Sequence, residues 1–530
     1  MRLSPVGPAI TEPSLAFAPP RIGSSGLAFK KSSPTAALSA DRIEALPKFA
    51  AEAPAKALAL YKAMKGGGCD RDTVFEILEN TSPQERDAIE NAFNQRHAQK
   101  WGSLRRALCR ELKKSHYRRA MSALNNGRSA YAPDFATPAF ERLIDEQTNS
   151  VTLQGNRVTP LFDGPQAFSA RNKLIDEAQH SIYLQTFIFT DDGTGWDLAK
   201  RLVAKAREGV EVKVIYDGLG SLRTDDRLFK YMKKNGVQVR EYGKPLEFWD
   251  WNDRWHEKIM VTDSTRAIVG GMNIADEYAT GSSIQPLLAL ARRGPEAWRD
   301  TDMLVEGPSA QLALQGFASN WRDLRGKFSA DETRRLFVEA PRYEDNASVR
   351  FVQHRPEDDG DDNTSRLLIH AINTATESVI LENAYFVPPK RLREALMNAA
   401  RRGVKVKILT NGKESSDVRM VTSAGRFHYD DLLEAGVEIY EYKGSTLHSK
   451  TALFDDKYSI IGSMNLNGRS KHCDSESLFA TNDKNNAIAL KQRFNEGLES
   501  AEQVTMKGLE NDTFLQRLSQ FFWRLFSPSL

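Results

Sequence analysis

The sequence predicts an α/β protein built on a duplicated domain, two sheet-and-helix halves sharing one site, preceded by a small all-α module. Three observations predict it. Strand-like and helix-like stretches alternate beyond about residue 160, which implies βαβ units and a mostly parallel sheet. The order of those stretches then repeats. Finally, one polar pattern occurs twice: His256-Glu-Lys258-Ile-Met-Val-Thr-Asp263 with Gly270-Gly271-Met-Asn273, and His448-Ser-Lys450-Thr-Ala-Leu-Phe-Asp455 with Gly462-Ser463-Met-Asn465. A lone H-x-K arises by chance in any long chain. Six matched positions, twice, on a strand-turn-strand pattern do not.

Residues 1–42 are rich in Pro, Ser, Gly and Ala without periodicity, the composition of a disordered leader. From 43 to 127 the pattern is helical. Ser82-Pro83-Gln84-Glu85 supplies an N-cap, a proline at the first helical position and an early glutamate. Ile89 and Phe93, then Leu104, Leu108 and Leu112, recur one turn apart. Residues 128–160 show no periodicity and read as a linker. Residues 181–189 then read as a strand, 196–208 as a helix and 209–216 as a strand ending at Asp217. The same order returns as strand 378–386, helix 390–402 and strand 403–409, and 236–242 is echoed by 436–442 just before each H-x-K. The halves are thus 161–340 and 341–530.

Composition narrows the function. A chain of 530 residues exceeds the ~100–200 of one domain, and its 40% hydrophobic fraction supplies a core. Lys+Arg 73 against Asp+Glu 70 gives +3, too balanced to point to nucleic acid. Cys69, Cys109 and Cys473 are scattered and lack metal-ligand spacing, so they read as reduced thiols. No apolar run approaches the ~20 residues of a membrane-spanning helix. Pro5, Pro8, Pro13, Pro19 and Pro20 interrupt any signal-peptide core. The expectation is a cytoplasmic protein, peripheral at a membrane.

If the halves meet with their motifs converging, one pocket gathers His256, Lys258 and Asn273 with His448, Lys450 and Asn465. Ammonium and carboxamide N–H groups suit phosphate oxygens. One imidazole can attack phosphorus to form a covalent intermediate. The other protonates the leaving alkoxide and later deprotonates the acceptor. The two lysines neutralise the developing charge, so catalysis is expected to need no cofactor. A carboxylate must orient a histidine through its second nitrogen. Asp300 and Glu476 are the candidates, Asp300 being set beside the first motif. Asp263 and Asp455 close the turn after each strand and take a structural role. His180, His354 and His428 lack a repeated context and read as ordinary exposed or satisfied histidines.

The doubled pattern resembles the signature of the phospholipase D superfamily, H-x-K-x4-D-x6-G-[GS]-x-N in two copies, over 160–530. Stretches 216–221, 252–256, 270–276, 298–307, 384–389 and 524–530 are more closely similar to bacterial cardiolipin synthases. The resemblance implies a duplicated phospholipase D-like domain with one active site. It implies transfer of a phosphatidyl group from one phosphatidylglycerol to the head-group hydroxyl of another lipid through a phosphohistidine. It makes His256 the nucleophile and His448 the acid/base. The alternative is a phospholipase D that hands the group to water and releases phosphatidic acid. A nuclease conflicts with the near-neutral charge, and a non-catalytic lipid-binding protein with two complete motifs.

The helical region resembles one annexin repeat, on Met64-Lys-Gly66-Gly67-Gly68-Cys-Asp70, Glu76-Ile-Leu78, Gln84-Glu-Arg86 and Leu108-Cys-Arg-Glu111-Leu112. That resemblance implies a Ca²⁺ site from Met64, Gly66, Gly68 and Glu111, the oxygen-only coordination calcium takes. Cys69 stands where the family has threonine, and only one repeat is present. Lipid access has further candidates. Phe248, Trp249, Trp251 and Trp255 form an aromatic cluster before the first motif, against which packing between the halves competes. The basic run Arg105, Arg106, Arg110, Lys113, Lys114, Arg118 and Arg119 suits anionic lipid, against which a solvated helix face competes. The tail from Phe514 to Phe526 reads as a helix docked on the core or, alternatively, lying in the interface.

Overall fold

A computed structural model describes residues 40–510 except 66–68, 80, 82, 102, 114–115, 118–119, 121–122, 125–134, 136, 244–252, 280–297, 337 and 357–360, together with Trp523. The expected leader up to residue 39 and the tail apart from Trp523 lie outside the described residues. So do Phe248, Trp249, Trp251, Lys114, Arg118 and Arg119.

The N-terminal helices are Ala40–Met64, Arg71–Glu79, Pro83–Trp101 and Leu104–Glu111. Pro83 opens its helix, where the missing N–H removes no bond. Leu60, Val74, Leu78, Ile89, Phe93, Leu104 and Leu108 are fully buried in one core, so the residues recurring one turn apart are those that meet. Part of the basic run is spent internally, since Arg105 pairs with Glu90 at 2.7 Å.

The linker expected over 128–160 is corrected. Helix Pro138–Thr148 is capped by Thr137, whose side chain accepts from the Phe140 N–H. Phe135, Phe140 and Ile144 enter the core of the second half. Arg350 binds Glu141 and Asp145 at 2.6 Å each. The strand that follows, Thr152–Phe162, lies in the middle of the sheet. Gly155 at φ 90°, a register shift between Leu153 and Asn156, and Pro160 hide its alternation in the sequence.

The first half contains β1 Thr152–Phe162, β2 Ser181–Thr186, β3 Glu211–Asp217, β4 Gln238–Tyr242, β5 Arg254–Trp255, β6 Ile259–Thr262, β7 Arg266–Gly270 and β8 Thr301–Glu306. The second contains β9 Ala347–His354, β10 Ser378–Asn383, β11 Lys405–Asn411, β12 Glu438–Tyr442, β13 Lys450–Phe454, β14 Tyr458–Gly462, β15 Asp474–Thr481 and β16 Ala501–Gln503. Neighbours run β4-β3-β2-β6-β7-β8-β1 in one half and β12-β11-β10-β13-β14-β15-β9 in the other. The two orders are the same, and β1 pairs antiparallel with β9 at the seam. The expected mostly parallel sheet is mixed instead. Parallel ladders join β2 to β3 to β4 and β10 to β11 to β12, while the β6–β7 and β13–β14 hairpins and their neighbours are antiparallel. The two H-x-K strands open those hairpins, and a tight hairpin is antiparallel by construction. Helices Asp163–Glu177 and Gly193–Arg207 cover one face of the first half, and helix Ala310–Asp323 the other, against Ile461 and Phe479 of the second half.

The hairpin turns explain the motif aspartates. Asp263 and Ser264 have φ 50° and 62°, and Asp455 and Asp456 have 49° and 53°, the pair of positive values a two-residue turn requires. The Asp263 carboxylate accepts the N–H groups of Gln179, His180 and Ser181 at 2.8–3.0 Å. Asp455 accepts those of Thr376, Glu377 and Ser378, each at 2.8 Å. Each aspartate thereby fastens its hairpin to the start of the neighbouring strand.

Candidate active site

Residues two apart on an extended chain share a face. His256 and Lys258 therefore emerge together, while Glu257 points away and accepts from Asn320 at 3.0 Å and Gln353 at 2.9 Å. The chains that carry the histidines cross between halves. Strand β5 runs parallel to β15, and the His256 N–H donates to the Ser475 carbonyl at 3.0 Å. A bridge joins Arg299 to Leu447, and the His448 N–H donates to the Arg299 carbonyl at 2.7 Å.

The carboxylates follow that exchange. His256 Nδ1 lies 3.1 Å from both oxygens of Glu476, in the second half. His448 Nδ1 lies 2.7 Å from Asp300 Oδ2, in the first half. Asp300 thus sits behind the second histidine and not beside the first, the reverse of the sequence expectation. Lys450 Nζ also approaches His448 Nδ1, at 2.8 Å. One ring nitrogen cannot donate to Asp300 and accept from Lys450 at once. The shorter, ionic partner favours Nδ1–H toward Asp300, which leaves Nε2 as the basic nitrogen. Lys258 and Lys450 each also donate to the carbonyl of the histidine two residues before.

The G-[GS] positions of the motif have steric and polar reasons. A Cβ on Gly271 would stand 2.2 Å from Asp300 Oδ1, so the bare backbone gives that carboxylate room. At the matching position Ser463 donates to Glu476, which also accepts from Ser470 at 2.7 Å. Asn273 is fixed on both sides. Its Oδ1 accepts from the Ile188 N–H at 3.0 Å and its Nδ2 donates to the Tyr278 hydroxyl at 2.8 Å. Asn465 is buried as well, its N–H donating to Ser470 Oγ at 3.3 Å.

Electrostatics tie the two motifs into one site. Burial first, then Lys258 and Lys450, hold the His256 imidazole well below its usual range. Burial, Lys450 and Lys258 do the same to His448. Burial lowers Lys258 to about 7 and Lys450 to about 8, against opposing carboxylates. Burial raises Glu476 to about 7 and also pushes Asp300 up. Charge is scarce at rest in such a pocket, and an arriving phosphate anion would restore it to the lysines and to one of the two histidines, leaving the other neutral.

Several neighbours escaped sequence reasoning. The Tyr278, Trp298 and Tyr385 rings pack around His448 at centroid distances of 5.2, 5.4 and 6.3 Å. Phe187 stands edge-on to His256 at 5.1 Å. Tyr278 follows Asn273 by the same offset at which Ser470 follows Asn465, a repeat-based signal that comparing the two copies further would have exposed. His354, set aside as an ordinary histidine, is fully buried opposite Glu476 in the β9–β15 register and helps keep that carboxylate charged. Trp255 is 3% exposed and stacked on Tyr242 at 4.1 Å, so this member of the aromatic cluster packs inside.

Of the calcium candidates, Gly66 and Gly68 lie outside the described residues. Met64 ends its helix, buried, and Glu111 ends another. Burial and then the nearby Glu111 carboxylate raise the Cys69 thiol.

The chain matches the family described as "Cardiolipin synthase, PLD-like domain" over residues 172–282 and 368–498, and the annexin family over 55–124. Cardiolipin synthase A of Pseudomonas fluorescens (strain SBW25) is 31% identical over 78% of this chain and 81% of its own length. Cardiolipin synthase of Halalkalibacterium halodurans is 29% identical over 73% of this chain and 75% of its own. The crystal structure of phosphatidylserine synthase from Haemophilus influenzae Rd KW20 superposes with a TM-score of 0.56 over 76% of this chain and all of that one, at 15% identity, a likeness of fold.

Proposed function

The chain belongs to the cardiolipin synthase family of phospholipase D-like proteins, and from that membership we propose a membrane-associated phosphatidyltransferase that makes cardiolipin from phosphatidylglycerol. The observation that carries the proposal is the exchange of orienting carboxylates, Glu476 behind His256 and Asp300 behind His448, around two buried lysines.

His256 is the nucleophile. Its Nε2 attacks phosphorus, the bond to the leaving glycerol oxygen breaks, and His448, which takes up a proton on Nε2 once the phosphate anion is bound, gives that proton to the leaving oxygen. The phosphatidyl group then sits on His256. A hydroxyl of a second phosphatidylglycerol loses its proton to His448 and attacks, and the P–N bond breaks to release cardiolipin. The two Nδ1 hydrogen bonds keep both Nε2 atoms turned toward the phosphate. Lys258, Lys450, Asn273 and Asn465 hold the non-bridging oxygens, and no step requires a cofactor. Among the described residues no helix is long and apolar enough to cross a membrane. In the annexin-like helices Glu111 and the Met64, Gly66 and Gly68 carbonyls would hold Ca²⁺ and add a further contact with lipid.

Phosphatidylglycerol vesicles should yield cardiolipin and glycerol; phosphatidic acid alone would overturn the transferase reading and make water the acceptor. His448→Ala should still trap a phosphatidyl group on the protein, and His256→Ala should not.

A further inference from the structure

The substrate's phosphorus must reach two histidines that are nearly buried, so the protein has to present the mouth of this pocket to the lipid. The residues around that mouth can be followed outward from each histidine. On the first side Phe187 is edge-on to His256 and lies under the Lys258 ammonium at 5.4 Å. The turn after β3 packs on Phe187 so closely that a Cβ on Gly220 would meet the Phe187 carbonyl at 2.3 Å. Ser221 ties the same turn to Phe189 at 3.0 Å, and Thr224 donates to the Phe189 carbonyl at 2.6 Å. Leu222, on this rigid turn, is 59% exposed, and Arg223 beside it is exposed too.

On the second side Tyr385 faces His448 and donates to Asp417 at 2.7 Å. Helix Arg419–Arg426 buries Val421 and Ala424 against Val387, with Tyr385 and Val418 packed alongside. The first turn of that helix faces out, with Met420 39% exposed and Arg419 exposed beside it. The two elements are counterparts in the duplication. Each follows the third strand of its half, and each begins with a glycine whose N–H donates to a tyrosine carbonyl, Gly218 to Tyr242 at 2.8 Å and Gly412 to Tyr442 at 3.2 Å. Each has one large apolar side chain and one arginine exposed, on backbone already fixed by the core.

We propose that Leu222–Arg223 and Arg419–Met420 form a two-sided rim that docks the mouth of the active site on an anionic phospholipid surface, the apolar side chains entering the headgroup layer and the arginines meeting lipid phosphates. An apolar tip held out rigidly loses little entropy on insertion, and adjacent cations select anionic over zwitterionic lipid. The proposal rests on the reading of this pocket as a lipid phosphatidyltransferase site.

The test is vesicle sedimentation of the full chain in chelator, which silences calcium-dependent binding. Leu222→Ser/Met420→Ser should lose about tenfold or more in affinity for phosphatidylglycerol vesicles. Arg223→Gln/Arg419→Gln should abolish the preference over pure phosphatidylcholine. Both double variants should retain wild-type turnover of short-chain, monomerically dispersed phosphatidylglycerol. Unchanged vesicle affinity in the Leu222/Met420 variant, or an equal loss of turnover on dispersed lipid, would overturn the rim. Sedimentation reads docking without turnover, so a wild type that bound vesicles but made no cardiolipin would count against the reaction and leave the rim standing.

Discussion

Glu476→Gln removes a charge from behind His256 while keeping the side chain's size. The wild-type carboxylate is fully buried and receives His256, Ser463 and Ser470. A charge-assisted hydrogen bond to the imidazole contributes about 1.5–3 kcal/mol when that ring gains positive character on attacking phosphorus. Losing it lowers kcat by roughly 10–150-fold. Stability should move the other way. Burial raises the carboxyl from 4.5 to about 7. A group whose folded pKa stands above its unfolded one binds more protons when folded, so it erodes stability as pH rises through that window, and the cost is complete above it. The shift corresponds to roughly 3 kcal/mol at most, and the amide escapes it. Thermal unfolding at pH 5 and pH 8, beside the rate of glycerol release from phosphatidylglycerol vesicles, reads both effects. The variant should be far slower, and at pH 8 should gain stability relative to wild type. A kcat within threefold of wild type, or the same destabilisation at both pH values, would refute the reasoning.

Lys258 at about 7 and Lys450 at about 8 lose their protons first in the free enzyme. The kcat/KM for phosphatidylglycerol should therefore fall as pH rises through 7–8, and kcat should fall at higher pH, because bound phosphate restores both charges; parallel pH profiles would contradict this. Gly271→Ala should displace Asp300 and cost kcat at least about 100-fold, whereas Ser463→Ala removes one hydrogen bond to Glu476, about 1 kcal/mol or roughly fivefold. Steady-state rates of the two folded variants check the order. Glu111→Ala should abolish calcium-dependent sedimentation with anionic vesicles while leaving turnover of dispersed lipid intact.

The doubled motif was legible because all its chemistry lies within one hairpin, where residue spacing dictates which side chains share a face. The partnership of carboxylates was not. Asp300 and Glu476 occupy matching places in the two copies, opposite Gly271 and Ser463, and only the crossing of β5 onto β15 decides which histidine each reaches. The central strand β1 looks like linker in the sequence because Gly155 and Pro160 break its alternation. Pro160 is tolerated in the stretch paired with β8 alone, where the other edge of the strand needs no ladder bond. His354 gave no signal either, since register and not spacing brings it to Glu476.

The exchange of histidine supports between halves also makes each half incomplete by itself. A half-length chain with this fold would hold a histidine without its carboxylate and a carboxylate without its histidine. Two identical copies related by a two-fold axis would complete one another. Within one chain the two copies need not be identical. They differ at Gly271 against Ser463, Asp300 against Glu476 and Tyr278 against Ser470. A symmetric pocket could then divide its labour, one imidazole attacking and the other handling protons.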